Sequence, residues 1–262
     1  MHRRFALALI CAVSLTACNG YFGSSEGDGG DGGGGGGDNS DAQGIWTGTV
    51  TSDILSLHML VTPTNELWAM SWNESFSQVR RLTRGTGSLN GRAYSGTGTT
   101  FGTGDTTAEN ADITGTVTSA STFDGNLGQN VTFTSQFDGV YDQPFDLAAY
   151  AGNWVGRDSA SASGVNFTIQ SNGNFEARMT VSGRPDTCNV SGAVAESASG
   201  KNYATTTFSF GNATNCLSQH AGTSMQGVAI LLTPRDEPPL LLMMATNNDQ
   251  TAAWFAYARK QQ

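Results

Sequence analysis

The chain has 262 residues, of which 13% are charged and 38% are hydrophobic, and a formal net charge of −9. This apolar content is enough to bury a core, which excludes a chain that is disordered throughout. With only 13 Lys and Arg residues and a sequence pI near 4.6, the chain repels a phosphate backbone on average, so no nucleic-acid partner is expected.

The first residues have the features of a bacterial secretory signal. A positively charged start is followed by an apolar run over 5–15 and by the sequence LTAC at 15–18. The apolar run is shorter than the roughly 20 residues that a spanning helix needs, and its end matches a lipobox. We therefore predict that residues 1–17 are a signal peptide and that Cys18 receives fatty-acyl chains, which anchor the protein in a membrane.

The segment after the anchor predicts both a location and a tether. Asn19 stands where an Asp would signal retention in the inner membrane, so an outer-membrane lipoprotein of the cell envelope is expected. Residues 18–43 are rich in Gly and Asp and include an uninterrupted glycine run at 32–37. Such a segment cannot bury apolar surface, so we expect a flexible tether.

A short motif occurs twice in the remaining chain, as GIWTG at 44–48 and as GNWVG at 152–156. Each copy precedes segments in which apolar and polar residues alternate, which is typical of half-buried strands. The Gly- and Thr-rich stretch 85–103 is the weakest of these segments. We predict an all-β protein with two tandem, antiparallel, up-and-down β-barrels of about eight strands each, over 44–140 and 141–262.

This motif on a first strand, preceded in the second copy by a short helical turn over 146–151, resembles the calycin group of lipocalin-like barrels. In that group the tryptophan closes the base of the barrel. A lipidated cysteine, a Gly-rich tether and eight-stranded barrels in this order also resemble surface lipoproteins of Gram-negative pathogens that bind host proteins. The resemblance to calycins implies a barrel-closing role for Gly44, Trp46, Gly48, Gly152, Trp154 and Gly156.

Two cysteines follow Cys18 in the mature chain, Cys188 and Cys216, and both lie in the second barrel. In the oxidising cell envelope we predict that they form a disulfide. A zinc site that also uses His220 is the alternative. No cofactor is expected.

Trp68, Met70 and Trp72 share one face of a predicted strand. They predict either the core of the first barrel or an aromatic lining or contact surface. Arg80, Arg81 and Arg84 follow on the next strand, either as a solvated strand end or as a site for an acidic partner or a lipid headgroup. The possible binding surface comprises Trp68, Trp72, Arg80, Arg81 and Arg84.

Catalytic patterns are weak in this sequence. His58 alternates with apolar neighbours, so a solvated position is expected. The sequence GTSMQG at 222–227 resembles a nucleophile elbow but lies between strands rather than between a strand and a helix. Most acidic residues fall in turns. We therefore expect no enzymatic activity.

Two strands near the C-terminus are apolar at successive positions, over 240–244 and 254–257. A barrel strand buries only its inner face, so the outer face of these strands needs a cover. We predict that the first barrel docks there, with a partner protein or a homodimer as the alternatives.

Taken together, these patterns favour a lipid-anchored, non-enzymatic envelope protein that binds a protein or a small apolar ligand, with no expectation for its oligomeric state. The alternatives are a structural or assembly accessory lipoprotein and a periplasmic protease inhibitor.

Overall fold

The computed structural model describes residues 42–51, 55–73, 78–103, 108–118, 121–128, 131–160, 164–180, 187–211 and 215–261. All of these residues belong to one compact unit. The predicted signal peptide, the Cys18 anchor and the tether up to residue 41 lie outside the described residues.

Sixteen strands make up almost all of the regular structure of the described residues. The first eight are β1 (Gly44–Val50), β2 (Leu55–Val61), β3 (Glu66–Asn73), β4 (Val79–Asn90), β5 (Ala93–Gly102), β6 (Glu109–Thr118), β7 (Thr122–Leu127) and β8 (Thr132–Asp138). The second eight are β9 (Gly152–Asp158), β10 (Val165–Ile169), β11 (Asn174–Thr180), β12 (Thr187–Glu196), β13 (Ala204–Phe210), β14 (Ser224–Leu232), β15 (Leu240–Thr246) and β16 (Ala253–Lys260).

The strands form two closed antiparallel barrels, β1 to β8 and β9 to β16. Each strand pairs with the next along the chain, and β1 and β9 close their barrels by pairing with β8 and β16. The predicted fold class, two up-and-down barrels of eight strands, is confirmed. Closure leaves no free sheet edge on either barrel.

The stretch 85–103 forms the long hairpin of β4 and β5, although its sequence is the weakest strand signal of the first barrel. Its inward-facing glycines make room for large side chains. A Cβ atom on Gly87 would lie 2.6 Å from the ring of Tyr94. The neighbouring strand β6 uses the same arrangement, since a Cβ atom on Gly115 would lie 2.6 Å from the ring of Phe123. The low strand propensity of these glycines is therefore offset by the aromatic rings that pack directly against their backbone.

A short connection joins the barrels. It contains a 3₁₀ helix (Gly139–Asp142) and the single helical turn α1 (Leu147–Tyr150). Asp146 caps α1 by accepting a hydrogen bond from the Ala148 N–H at 2.9 Å, as its sequence predicts. Tyr150 is buried in the core of the second barrel.

A third core lies between the barrels. The outer faces of β3 and β4 pack against the outer faces of β14, β15 and β16. Leu241 and Met243 face the interior of the second barrel, whereas the alternating residues of β15 enter the inter-barrel core. The predicted docking through the strands that are apolar on both faces is confirmed. We call this cluster the inter-barrel core; its members include Trp68, Met70, Trp72, Leu82, Ile230, Leu242, Met244, Phe255 and Tyr257.

The first interpretation of Trp68, Met70 and Trp72, as the core of the first barrel, is wrong. In β3 the inward residues are Leu67 and Ala69, which join the first barrel's own core. The three larger side chains point outward and are covered by the second barrel. Because β3 is apolar on both faces, its sequence carries no alternation that would tell inside from outside.

The predicted disulfide is confirmed. Cys188 on β12 is bonded to Cys216, which precedes β14, with 4.7 Å between their Cα atoms. The zinc alternative is contradicted, since both sulfur atoms are committed to the bond. His220 instead stacks on Phe210 with 4.8 Å between ring centroids, and burial lowers its pKa.

Candidate functional site

The two tryptophan motifs have the same local geometry. The Trp46 indole N–H donates to the carbonyl oxygen of Ala42 at 2.9 Å, and that of Trp154 donates to Tyr150 at 2.8 Å. In each case the acceptor lies four residues upstream. Both indoles are fully buried, so each hydrogen bond ties the entering chain to the base of its barrel.

The last glycine of each motif lies where the first strand approaches the last strand. A Cβ atom on Gly48 would lie 2.6 Å from the Cα atom of Ser135, and one on Gly156 would lie 2.6 Å from that of Ala258. Real Cβ atoms do not approach other atoms so closely, so closure requires glycine at these two positions. The leading glycines, Gly44 and Gly152, are the first residues of β1 and β9.

The interior of the first barrel is filled by aromatic rings. Phe123 makes edge-to-face contacts with Trp46, Tyr94 and Phe133, with centroid separations of 5.1 to 5.5 Å. Such contacts are typical of a packed core.

The second barrel is filled in the same way. Trp254 makes edge-to-face contacts with Phe167 and Phe208, at 5.7 and 5.2 Å. Both interiors are thus occupied by their own packed side chains.

The proposed binding residues divide into two groups. Trp68 and Trp72 are each 1% exposed, so the second barrel already occupies the aromatic face. Arg80 and Arg81 are exposed. Arg84 is engaged internally: its guanidinium bonds Glu66 and reaches Thr246 of the second barrel, and it lies 4.6 Å from the centre of the Trp68 ring.

His58 is not the solvated residue that alternation in β2 predicts. Its ring stacks on Trp72 with 4.7 Å between centroids, and its Nδ1 atom is buried without a hydrogen-bond partner among the described residues. Burial, with a smaller effect from the nearby positive charge of Arg259, lowers the pKa of His58 to about 3. The imidazole is therefore a neutral, packed member of the boundary between the barrels.

A polar cleft of about 540 Å³ opens beside the inter-barrel core. Its floor is the outer face of β4, β5 and β6, where cross-strand neighbours form two rows of polar side chains. Gln250 of the second barrel forms the opposite wall. We call it the inter-barrel cleft; its polar side chains are Glu66, Arg84, Thr86, Thr97, Thr99, Asn110, Asp112 and Gln250.

The charges of the inter-barrel cleft largely cancel. Two nitrogens of the Arg84 guanidinium donate to one carboxylate oxygen of Glu66, at 2.6 and 2.9 Å. Asp112 is exposed and has no ion pair within the described part of the chain. The cleft thus offers one unneutralised carboxylate among hydroxyl and amide groups.

The turn that carries Gln250 is held by a network of side-chain hydrogen bonds. Asn247 accepts hydrogen bonds through its side-chain oxygen from the N–H groups of Thr251 and Ala252, at 3.0 and 2.9 Å. Its amide nitrogen donates to the Thr251 hydroxyl, which in turn donates to Asp249. This network holds Gln250 at a φ of 54°, in the left-handed region that residues other than glycine rarely adopt.

Sequence reasoning did not identify the inter-barrel cleft. Arg84 was singled out for its charge, but Glu66, Thr97 and Asp112 carry no pattern of their own. The residues Asn247, Asn248 and Asp249 predict a turn. Nothing in the neighbouring sequence shows that this turn faces the other barrel.

Within the described residues there is no group of three or more side chains suited to hold a metal ion. No described helix has the length and apolar character needed to cross a bilayer. Searches with family models, curated proteins and solved structures gave no match to this chain. Function therefore has to be inferred from the chain's own residues.

Proposed function

We propose that this protein is a lipid-anchored, non-enzymatic binding module of the bacterial cell envelope, and that its ligand occupies the inter-barrel cleft. The observation that carries this proposal is the construction of the cleft. Its floor belongs to the first barrel and its opposite wall to the second, and both are fixed by the inter-barrel core. Pre-formed walls reduce the entropy that binding costs.

The chemistry of the surface favours a polar ligand. Both barrel interiors are filled with buried side chains, which favours a site on the outside of the barrels. Val155 is the only large hydrophobic side chain that the described surface exposes. A ligand of the inter-barrel cleft must then exchange hydrogen bonds rather than bury apolar area.

A test of the site uses the full chain, purified in detergent, and a panel of soluble probes that includes oligosaccharides, short peptides and phosphate. A ligand that binds the folded state raises the melting temperature. We expect one probe class to do so for the wild type and not for Thr97→Trp, which fills the cleft from an exposed strand position.

Thr116→Trp is the matched control, because Thr116 is also exposed and lies farther along β6. The control should respond to the probe like the wild type. Equal stabilisation of Thr97→Trp, or no response to any probe class, would show that the cleft is not a binding site.

The envelope location and the anchor are supported by the lipobox at 15–18 and by the Gly- and Asp-rich tether behind it. Cys18→Ala should move the protein from the membrane pellet to the soluble fraction, while both barrels keep their fold. Mutant protein that stays with outer membranes after a carbonate wash would contradict lipidation as the anchor.

A further inference from the structure

A second cleft borders the turn that carries Gln250. It has a volume of about 350 Å³ and lies against β12, β13 and β14 of the second barrel. Asn248 contributes to it from the turn. We call it the hydroxyl cleft; its polar side chains are Ser191, Thr207, Ser209, Ser224, Gln226 and Asn248.

One turn thus serves both clefts. Asn248 lines the hydroxyl cleft and Gln250 lines the inter-barrel cleft. Because the two residues are separated by one position, their Cα atoms are at most about 7 Å apart. The linings of the two clefts therefore approach each other at this turn.

The two clefts share part of their chemistry. Hydroxyl and carboxamide side chains, which both donate and accept hydrogen bonds, occur in each lining, and in the hydroxyl cleft they are accompanied by Phe208 and Met225. The hydroxyl cleft contains no charged side chain, and in the inter-barrel cleft Arg84 is neutralised by Glu66. Asp112 adds a carboxylate, which accepts hydrogen bonds from hydroxyl groups and repels anions.

These features favour sugar hydroxyls over a protein surface. Hot spots of protein interfaces are enriched in Trp, Tyr and Arg, and of these the two linings contain only Arg84, already engaged with Glu66 and Thr246. Closed barrels also lack the free edge that a peptide strand would extend. An oligosaccharide repeats its hydroxyl groups along the chain, and hydroxyl and carboxamide side chains recur in both clefts.

We propose that the inter-barrel cleft, the turn at 247–251 and the hydroxyl cleft form one extended site for a neutral oligosaccharide chain. This inference rests on the proposed function, since it names the ligand class of the inter-barrel cleft. It adds a second subsite, so that one end of the ligand lies over the first barrel and the other end over the second.

The experiment is calorimetric titration of the full chain with neutral malto-, cello- and chito-oligosaccharides of two to six units. For one of the three series, affinity should rise at least tenfold from the two-unit to the six-unit chain. Gln226→Ala, in the hydroxyl cleft, should remove this gain while preserving binding of the two-unit chain. Thr205→Ala is the control, because Thr205 is exposed on β13 outside both linings, and it should retain the gain.

The outcomes separate the two proposals. Sugar binding that Thr97→Trp abolishes, but that is equally tight for short and long chains, would overturn the extended site. The proposal of a binding module with its site in the inter-barrel cleft would then remain. Binding of a peptide or of phosphate in the cleft, with no response to any sugar, would overturn the ligand class alone. Sugar binding that Thr97→Trp leaves unchanged would overturn both.

Discussion

The first and second barrels close with the same tryptophan and glycine positions, but they fill their interiors differently. In the first barrel, glycines on β4 and β6 lie beneath the rings of Tyr94 and Phe123. The second barrel relies on a larger cluster of aromatic and aliphatic side chains and on the disulfide between Cys188 and Cys216. Closing a barrel and filling its interior are therefore separate requirements. The same Trp and Gly positions close both barrels, although the side chains in their cores differ.

The outer faces differ more than the interiors. The outer face of β5 and β6 in the first barrel is polar and forms the floor of the inter-barrel cleft. The outer face of β14 to β16 in the second barrel is apolar and supplies half of the inter-barrel core. Both barrels thus contribute apolar surface to the inter-barrel core, whereas the first contributes most of the lining of the inter-barrel cleft.

The largest expected effect comes from a charge in the inter-barrel core. Leu242, at 0% exposure, points away from the interior of its own barrel. Leu242→Asp buries an unpaired carboxylate, so it should cost about 4–5 kcal/mol in the free energy of unfolding. Thermal unfolding should then split into two transitions, because the barrels no longer support each other.

The control for that variant is Thr205→Asp, an exposed substitution in the same barrel that should change stability by no more than about 0.5 kcal/mol. A single cooperative transition in Leu242→Asp would show that the barrels do not depend on the shared core.

The disulfide should have the next largest effect. It closes a loop with a sequence separation of 28 residues, for which chain entropy gives about 3.5 kcal/mol. Cys188→Ala combined with Cys216→Ala should lower the stability of the second barrel by that order. Unfolding of the second barrel uncovers Trp68 and Trp72, so amide exchange in β3 should quicken as well. Exchange that quickens in the second barrel alone would mean that the coupling is weak.

Closure should be equally sensitive in both barrels. Gly48→Ala and Gly156→Ala place a methyl group against the backbone of the last strand, which should cost roughly 1–3 kcal/mol in each case. Gly139→Ala is the matched control, because a Cβ atom there meets nothing within 4 Å. Chemical denaturation measures all three, and a tolerant Gly48 or Gly156 would contradict the shared closing role.

The smallest effect concerns pH. The pKa of His58 is lowered to about 3 in the folded protein, from 6.5, so the unfolded chain binds the proton more readily. The contribution of neutral His58 to the free energy of unfolding is therefore fully present above pH 6.5, and it is lost as the pH falls from 6.5 toward 3. Between pH 7 and pH 5 we expect a loss of about 1–2 kcal/mol. His58→Gln should reduce this loss, and an unchanged pH dependence would exclude His58 as its source.

Local patterns in the sequence determine the strands and their number. Alternation in segments such as 165–169 and 175–181 predicts half-buried strands, and the repeated motif predicts two barrels rather than one. The pairing of Cys188 with Cys216 follows because no other cysteine lies between or after them in the barrels. These features depend on period and composition, which a sequence displays directly.

Tertiary structure alone decides which neighbour covers each outer face. In β3 both faces are apolar, so the position of Trp68 and Trp72 outside the first barrel is fixed by the second barrel and not by alternation. His58 is half-buried because its ring stacks on Trp72, which lies on another strand. The inter-barrel cleft depends on the approach of residues as distant in sequence as Asp112 and Gln250, and that approach is set by packing of the inter-barrel core rather than by any local propensity.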